Sequence, residues 1–581
     1  MSVLTGIGNE VRKSDVLVVG GGLAGSFAAI KAREAGAETV TLISKGLLGK
    51  DSISTFAAGV WIAFMPEDDK EELMKTFTLD DVHGAGLYDE EWLGVFLHDN
   101  YERLMELDRW GVEWEKTPDG NFERKACRWN LKQCMFHGPQ LMEAVTRKVT
   151  ERGVDVVGHT MVTDLLTKGG KEEAPVIGAV GFDVRAGTLK VFKAKSVVVA
   201  SGGCGYKARF ACHKMDTGDG VAMAYRAGAV LGRFDEGKLH TTCTDFDTHG
   251  LNMFVGLGGR FVNARGEQFM LEYDPVLGNR AGMTTLSEAA AMEVRGGRGP
   301  IYLDMTHFTG KDVRKLRTVL PIPTKIMERA GVMVGNRIVQ KMEWAPAYYG
   351  TIGMSGGIMA NTKCETSLPG LFASGDAMAR AKPTAALPMA AVSGARSGTF
   401  AAEFAKEIGW NEIDEGQFTR LRDFVFAPQE KPNGIEPDHI IIGLHEALLP
   451  YGVTVIARGD RLMKALSEIE RIRDEELPFL YASDPHDLRL ANETRNMVLC
   501  AEIYLRSRLT RKESRDSSVR EDYPYTDNID WLKTILAKQR DGKMAIWTED
   551  LPVDRYRVKP KRERYLYPVL EVATKRGIPW G

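Results

Sequence analysis

Asp15-Val16-Leu17-Val18-Val19-Gly20-Gly21-Gly22-Leu23-Ala24-Gly25, continuing through SFAAIKAREAG to Gly36, is the stretch whose reading decides the fold. Asp15 to Val19 is a short, continuous apolar run, the pattern of a strand buried on both faces of a parallel sheet. Gly20, Gly22 and Gly25 then fit GxGxxG. The first glycine permits a tight turn, the second lets backbone approach a pyrophosphate, and the third lets a helix pack close to the strand. The helix-like SFAAIKARE ends at Gly36, and ETVTLIS reads as a second strand. Together they make a βαβ unit of about 30 residues. A pyrophosphate would rest on the helix N-terminus, where free N–H groups and the helix dipole favour an anion. The motif has the strand before it and the helix after it that its chemistry requires.

The second strand ends Ile43-Ser44-Lys45, without the Asp or Glu that a simple NAD site places there for the ribose. Two distant strand-like runs carry further glycine clusters. Ser196 to Ala200 leads into Ser201-Gly202-Gly203-Cys204-Gly205, and Gly370 to Ser374 leads into Gly375-Asp376. Thr217-Gly218-Asp219-Gly220 opens the helix-like VAMAYRAG. Three such strands are expected to meet in one sheet. Asp376 is placed to accept hydrogen bonds from ribityl hydroxyls; its alternative use is a helix cap. The combination points to FAD. The cofactor-binding candidates are Gly20, Gly21, Gly22, Ala24, Gly25, Ser44, Lys45, Ser52, Ser54, Thr55, Ala200, Ser201, Gly202, Gly203, Thr217, Gly218, Asp219, Gly375, Asp376, Ala386 and Leu387.

The chain has 581 residues, room for three or four domains of about 150 residues each. It reads as an α/β + α protein, with a Rossmann-like FAD-binding domain, an inserted domain and a C-terminal helical domain. The FAD-binding domain takes residues 1–235 and 350–430, the inserted domain 236–349, the helical domain 440–540, and an irregular C-terminal tail 541–581. Net charge is -3, with 44% hydrophobic and 27% charged residues, which favours neither a nucleic-acid partner nor an anionic membrane. No apolar run approaches the roughly 20 residues that span a bilayer, and MSVLTGIGNEVRKSD lacks a signal peptide's apolar stretch. A cytoplasmic protein is expected. The seven cysteines, Cys127, Cys134, Cys204, Cys212, Cys243, Cys364 and Cys500, form no CxxC pair. No metal site is expected from them, and electrons leaving a flavin would need a second protein to carry them.

GGGLAG, the Ser-Lys ending the second strand, SGGCG, TGDG, PGLFASGD and RKESRDSSVREDYP together resemble the flavoprotein subunits of the fumarate reductase and succinate dehydrogenase superfamily. The likeness covers nearly the whole chain. Its most specific parts are Arg511 through Pro524 and Asp530-Trp531-Leu532-Lys533. ASDPHDL at 482–488 and the spacing around YYGTIGMSGGI are closer to the adenylylsulfate reductase alpha branch. The resemblance implies a large FAD domain, a mobile cap and a helical domain. It also implies hydride exchange between the flavin and a substrate carbon, the electron partner being a ferredoxin-like iron–sulfur subunit. Arg511 to Arg515 alternates sign with Glu513, Asp516, Glu521 and Asp522, the pattern of a salt-bridged structural corner and not of a nucleic-acid patch.

Against that family the chain departs at identifiable places. The segment that carries a flavin-linking histidine in some members reads KDSISTFAAG (50–59) and has none, so FAD is expected to be non-covalent. Leu239-His240-Thr241-Thr242 keeps the histidine and last threonine of an HPT-like turn, while Gly256-Leu257-Gly258-Gly259 replaces the glutamate of a GEGG-like turn. The catalytic arginine falls at or near Met283. Ile352 or the Tyr348-Tyr349 pair occupies the place of a second histidine, and Arg380-Ala381, followed by Lys382, that of an asparagine–arginine pair. A dicarboxylate is usually recognised by bidentate arginines, and a pocket with Met and Leu in those places suits a less charged substrate.

The catalytic candidates are His240, Arg280 and Tyr349, with Thr242, Arg380 and Lys382 as substrate-binding candidates. His249, His137 and His213 rank below them. The leading function is an FAD-dependent oxidoreductase that reduces or desaturates a C–C bond beside an activating group of a small molecule. Its electrons pass to or from a separate redox protein. Two alternatives stand beside it: an adenylylsulfate reductase-like alpha subunit, working on sulfur chemistry, and an electron-transfer flavoprotein subunit without its own substrate site.

Overall fold

The computed structural model describes residues 11–580 except 57–58, 80–85, 127–130, 209–213, 240, 247, 346–351, 355 and 380–385. Its centre is a seven-stranded sheet made from β1 (Val11–Val19), β2 (Val40–Ile43), β3 (Asp155–Val157), β4 (Thr160–Thr167), β5 (Val176–Asp183), β6 (Leu189–Val199) and β7 (Leu371–Ala373). The order is β3-β2-β1-β6-β5-β4, with β7 also on β6. β6 is long enough to do both: its first half pairs antiparallel with β5 and its last three residues pair parallel with β7.

The register fixes where the glycine turns emerge. Val19 lies opposite Val199, and Val199 lies opposite Ala373. Three turns far apart in the chain therefore leave the same sheet edge side by side. The apolar run of β1 is sealed, with Val16, Leu17 and Val18 fully buried, as expected for a strand covered on both faces.

Helix α1 (Leu23–Glu34) follows directly from β1. Gly20 has φ +118°, a conformation open to glycine. A Cβ on Gly25 would stand 1.8 Å from the Gly20 carbonyl oxygen, so only glycine lets the helix begin so near the strand. Helix α2 (Asp219–Arg226) begins after Gly218, itself at φ +73°.

The inserted segment forms its own core. Helices α3 (Leu251–Gly256) and α4 (Met283–Glu293) pack around a four-stranded sheet of Thr242–Cys243, Met342–Ala345, Tyr302–Asp304 and Arg260–Val262. Phe254, Phe261, Leu286, Leu303 and Trp344 lie in one buried cluster there, separate from that of the central sheet.

Helix α5 (Ala386–Glu407) returns to cross α1. The crossing is close because two glycines face it: a Cβ on Gly394 would lie 2.3 Å from the Ala24 carbonyl oxygen, and one on Gly398 2.0 Å from that of Ala28. Helix α6 (Pro485–Thr510) runs for 26 residues and is capped by Asp484, which accepts from the Asp487 N–H at 2.9 Å.

The segment after α6 is the structural corner that its charge pattern suggested. Arg511, Asp235 and Glu513 are all buried, and Arg511 pairs with Asp235 and, at 2.6 Å, with Glu513. Arg515 reaches Glu513 at 2.8 Å, and the Arg511 guanidinium also donates to the Lys533 carbonyl at 2.8 Å. The corner thus holds residue 235, where the chain leaves for the inserted domain.

Residues 541–581 read as irregular, and here the structure differs. Lys543–Asp550 is a strand paired antiparallel with Lys533–Arg540. Helix α7 (Pro568–Lys575) packs on the inserted domain, where Val569, Leu570 and Ala573 join its buried cluster. Strand KMAIWTED lacks strict alternation because it is half-buried along most of its length, and α7 is held by partners nearly 300 residues away, which local periodicity does not reveal.

The α1–α5 crossing gives a direct test. Gly398→Val overpacks the contact and should lower unfolding free energy by about 1–3 kcal/mol, read as a lower urea midpoint. Gly409→Ala, where nothing lies within 4 Å of the new Cβ, should leave the midpoint unchanged.

Candidate cofactor and substrate site

A cavity of about 490 Å³ opens where the three turns meet, within the range of small-molecule sites. Gly20, Gly21 and Gly22 line one side, Ser44, Ser52 and Ser54 another, and Ser201, Gly202, Gly375 and Asp376 close it. Three features fit it to a dinucleotide. The first turn of α1 carries no acidic residue and no side-chain cap, so most of its N–H groups are available to an anion; the Leu23 N–H meets Ser54 Oγ at 3.1 Å. A Cβ on Gly22 would have only Ser54 and Ser52 near it, at 3.6 and 3.7 Å, so this backbone faces open cavity. Ser201 Oγ is buried and has no hydrogen-bond partner among the described residues, although its residue lines the cavity.

Of the expected cofactor residues, Ala24, Lys45, Ala200, Asp219, Ala386 and Leu387 also line the cavity. Gly25, Thr55, Gly203, Thr217 and Gly218 stand behind it. Thr55 and Ser52 share a hydrogen bond of 3.1 Å, the Gly203 carbonyl accepts from the Gly218 N–H at 3.0 Å, and Thr217 Oγ1 takes a 2.9 Å bond from Lys45.

Lys45 shows what replaces the missing acid at the end of β2. Its ammonium donates to Asp219 at 2.8 Å and to Glu493 of α6 at 2.6 Å. Burial alone would lower its pKa; the two carboxylates overcome that and hold it above the usual lysine range. Burial pushes Glu493 up, but Lys45 and Lys207 outweigh it and bring its carboxyl down to about 2. Lys207 lies 2.8 Å from the other Glu493 oxygen. Sequence reasoning missed Glu493, Arg489 and Lys207, which line the cavity. Glu493 and Asn496 share a helix face at three-residue spacing, the one local signal that both turn inward; Asn496 donates to Asp219 at 3.0 Å.

On the substrate side, His240, Tyr349, Arg380 and Lys382 lie outside the described residues. Arg280 ends the turn Gly278–Arg280 and is exposed. Thr242 is fully buried, and its hydroxyl is used within the chain, donating to the Thr248 carbonyl at 3.0 Å. Leu257 and Met283 are partly buried against the inserted domain's apolar cluster. His249 is buried and meets Phe56 edge to face, with ring centroids 6.4 Å apart; Phe56 closes the turn Ile53–Phe56 that carries Ser54.

A glycine turn at the end of a parallel strand pair in a mixed sheet, an inserted cap and a long C-terminal helix define an FAD-binding flavoprotein with a capping domain. The FAD binding domain family matches residues 15–390, and the fumarate reductase flavoprotein C-terminal family matches residues 446–565. The chain belongs to the FAD-dependent oxidoreductases of the fumarate reductase and succinate dehydrogenase family. It is 28% identical over 560 residues to one subunit of the fumarate reductase (CoM/CoB) of Methanothermobacter marburgensis, covering 92% of this chain and 98% of that protein. Its fold is similar to FrdA of E. coli quinol fumarate reductase, with a TM-score of 0.84 at 24% identity, covering 95% and 99% of the two chains. Adenylylsulfate reductase of Archaeoglobus fulgidus has a TM-score of 0.79 at 22% identity, covering 93% and 96%.

Two outcomes follow from the Lys45 cluster. Lys45→Met takes from Glu493 one of its two ammonium partners and breaks the Asp219 ion pair from one side, and should cost about 3 kcal/mol, with weaker FAD retention on gel filtration. Glu493 has a folded-state pKa below its ordinary 4.5, so its contribution is present above pH 4.5 and is lost as pH falls towards about 2. Urea midpoints of Glu493→Gln should accordingly fall less steeply than those of the parent across that window.

Proposed function

We propose that this protein exchanges a hydride between non-covalently held FAD and a small organic substrate, reducing or desaturating a C–C bond beside an activating group. Electrons pass to or from a separate redox protein, of which a ferredoxin-like iron–sulfur subunit is the expected kind. FAD, when bound, supplies the two-electron chemistry at its flavin ring. The chain supplies the rest. The turns at Gly20–Gly22, Ser201–Gly202 and Gly375–Asp376 bind the dinucleotide through backbone N–H groups and short side chains. The Lys45–Glu493–Asp219 cluster holds one wall of that cavity. The inserted domain covers the substrate and excludes water, with His240, Arg280 and Tyr349 as proton-handling candidates and Thr242, Arg380 and Lys382 as substrate-side candidates.

The observation that carries the substrate reading is the packing of Leu257 and Met283, both partly buried, against the cap's apolar cluster. These are the places where the family resemblance puts a glutamate and an arginine. A dicarboxylate buried there would meet two apolar side chains, and an unpaired buried carboxylate is strongly disfavoured. The protein is therefore read as acting on something other than fumarate or succinate, although the M. marburgensis relative is named a fumarate reductase.

Two measurements test this. Reduced holoenzyme mixed anaerobically with cyclohex-2-en-1-one should be reoxidised much faster than with fumarate; rapid reoxidation by fumarate would overturn the substrate reading. Acid precipitation should leave a colourless pellet and a yellow supernatant, because residues 50–59 hold no histidine to link the flavin.

A further inference from the structure

The C-terminal hairpin leaves one strand edge open. β8 (Lys533–Arg540) and β9 (Lys543–Asp550) pair antiparallel along their whole length without a register shift. They end a four-stranded sheet whose order is Gly357–Ile358, Leu231–Gly232, β8, β9. β9 is therefore an edge, and β8 is the one described strand that it pairs with. An edge strand is a template for another chain, and proteins normally blunt it with a bulge, a proline, an inward charge or a covering element. β9 reads Lys-Met-Ala-Ile-Trp-Thr-Glu-Asp. It has no proline and no bulge, and its charges stand only at its two ends.

The register fixes which backbone groups face outward. Asp541 and Gly542, at φ +49° and +72°, form the two-residue turn, so Arg540 and Lys543 close the ladder as a hydrogen-bonded pair. Alternation then turns the N–H and C=O groups of Met544, Ile546 and Thr548 away from β8. The far side of β8 agrees: the Ile535 carbonyl, opposite Thr548, accepts from the Arg233 N–H at 3.0 Å and so points away from β9. Among the described residues no hydrogen bond reaches the outward groups of β9.

The side chains alternate as well. Met544 and Ile546 are partly buried against the main apolar core, which puts Lys543, Ala545, Trp547 and Glu549 on the opposite face. Trp547 Nε1 donates to Glu549 at 2.9 Å and holds the carboxylate on that face. Both Lys543 and Glu549 are exposed.

We propose that β9 pairs with β9 of a second copy of this chain, antiparallel and centred on Ile546, so that the two four-stranded sheets become one. β9 is complementary to its own reverse about that centre. Lys543 falls opposite the second copy's Glu549, and Ala545 opposite its Trp547. The two-fold repeats both pairs, so each end carries opposite charges and each indole faces a small side chain. Directly opposed pairs of this kind stabilise a sheet by about 0.2–1 kcal/mol each. The outward groups of Met544 and Thr548 meet as a hydrogen-bonded pair, and those of Ile546 meet their own copies. Neighbouring centres lose this match. Centring on Ala545 sets Glu549 against Asp541, two like charges. Centring on Trp547 sets indole against indole and leaves Lys543 facing Leu551. A patch that is complementary to itself gives a closed two-fold dimer.

Sedimentation velocity of the FAD-loaded full chain, run over a wide range of concentration, tests this. The parent should sediment as a dimer that dissociates on dilution. Lys543→Glu turns both end pairs into like-charge pairs and should raise the dimer Kd by about tenfold. The double variant Lys543→Glu, Glu549→Lys restores opposite charges between copies and should return the Kd to within about threefold of the parent. Positions 543 and 549 do not face each other within one chain, so that rescue reports a contact between copies. Thr548→Pro deletes one outward N–H in each copy without touching the bonds to β8, and should raise the Kd by at least about tenfold. Circular dichroism and the bound flavin's absorption identify the folded variants, and the two charge variants alter exposed side chains only. A parent chain that stays monomeric at every concentration would overturn the inference and leave the edge to a different protein. A dimer whose Kd is unmoved by Lys543→Glu, or one that the double variant fails to restore, would overturn it equally.

Discussion

The contact on which everything else depends is the approach of α1 to the sheet edge at Gly20 and Gly25. A side chain at Gly25 would run into the Gly20 carbonyl, and a side chain at Gly20 would sit 2.3 Å from the Ala200 carbonyl oxygen. Both clashes are backbone clashes, which no rotamer change relieves. With glycine, the helix starts so close to β1 that its N-terminal N–H groups look into the cavity instead of over it. The same closeness lets α5 cross α1 through Gly394 and Gly398, and α5 in turn begins at Ala386 and Leu387 on the cavity wall. One steric allowance therefore sets the helix, the crossing and the cofactor cradle together.

A second constraint positions the cap relative to that cradle. Arg511 is fully buried and is surrounded by Asp235, Glu513 and the Lys533 carbonyl. A buried guanidinium is tolerable only when its donors are satisfied, and here they are satisfied by the nearby Glu513, by the Lys533 carbonyl and by Asp235, 276 residues away. The chain at Asp235, the end of α6 and the strand at Lys533 are thereby locked to one another. Helix α7 adds to this from the cap side, where Tyr567 Oη donates to the Asp516 carbonyl at 2.9 Å. The cap is anchored on polar, directional contacts at its root and on apolar packing within itself.

Much of this is legible in the sequence, for a definable reason. The glycine turns are local, each a short glycine cluster at the end of a strand-like run, so each is recognisable by itself, and the strand registers then bring Gly20–Gly22, Ser201–Gly202 and Gly375–Asp376 to one cavity. The signed pattern from Arg511 to Asp522 is local too, and it forms the buried corner it suggests. What escapes is non-local. Glu493 becomes a wall of the candidate FAD cavity because α6 packs across Lys45, which lies 448 residues earlier. The tail acquires a strand and a helix because distant elements bury them. His249 is buried with no hydrogen-bond partner for its Nδ1 among the described residues, and a sequence does not display an absent hydrogen bond.

The most direct measurement is calorimetric titration of FAD into apo-protein, comparing the parent chain with Gly22→Val. The new Cβ has no neighbour nearer than 3.6 Å, so the variant should keep the parent's circular dichroism, while its side chain occupies the space through which the backbone approaches the pyrophosphate. The account predicts about one equivalent of FAD for the parent chain and binding at least about a hundredfold weaker for the folded variant, a loss near 3 kcal/mol. A folded Gly22→Val protein that binds FAD with the parent's affinity would contradict it.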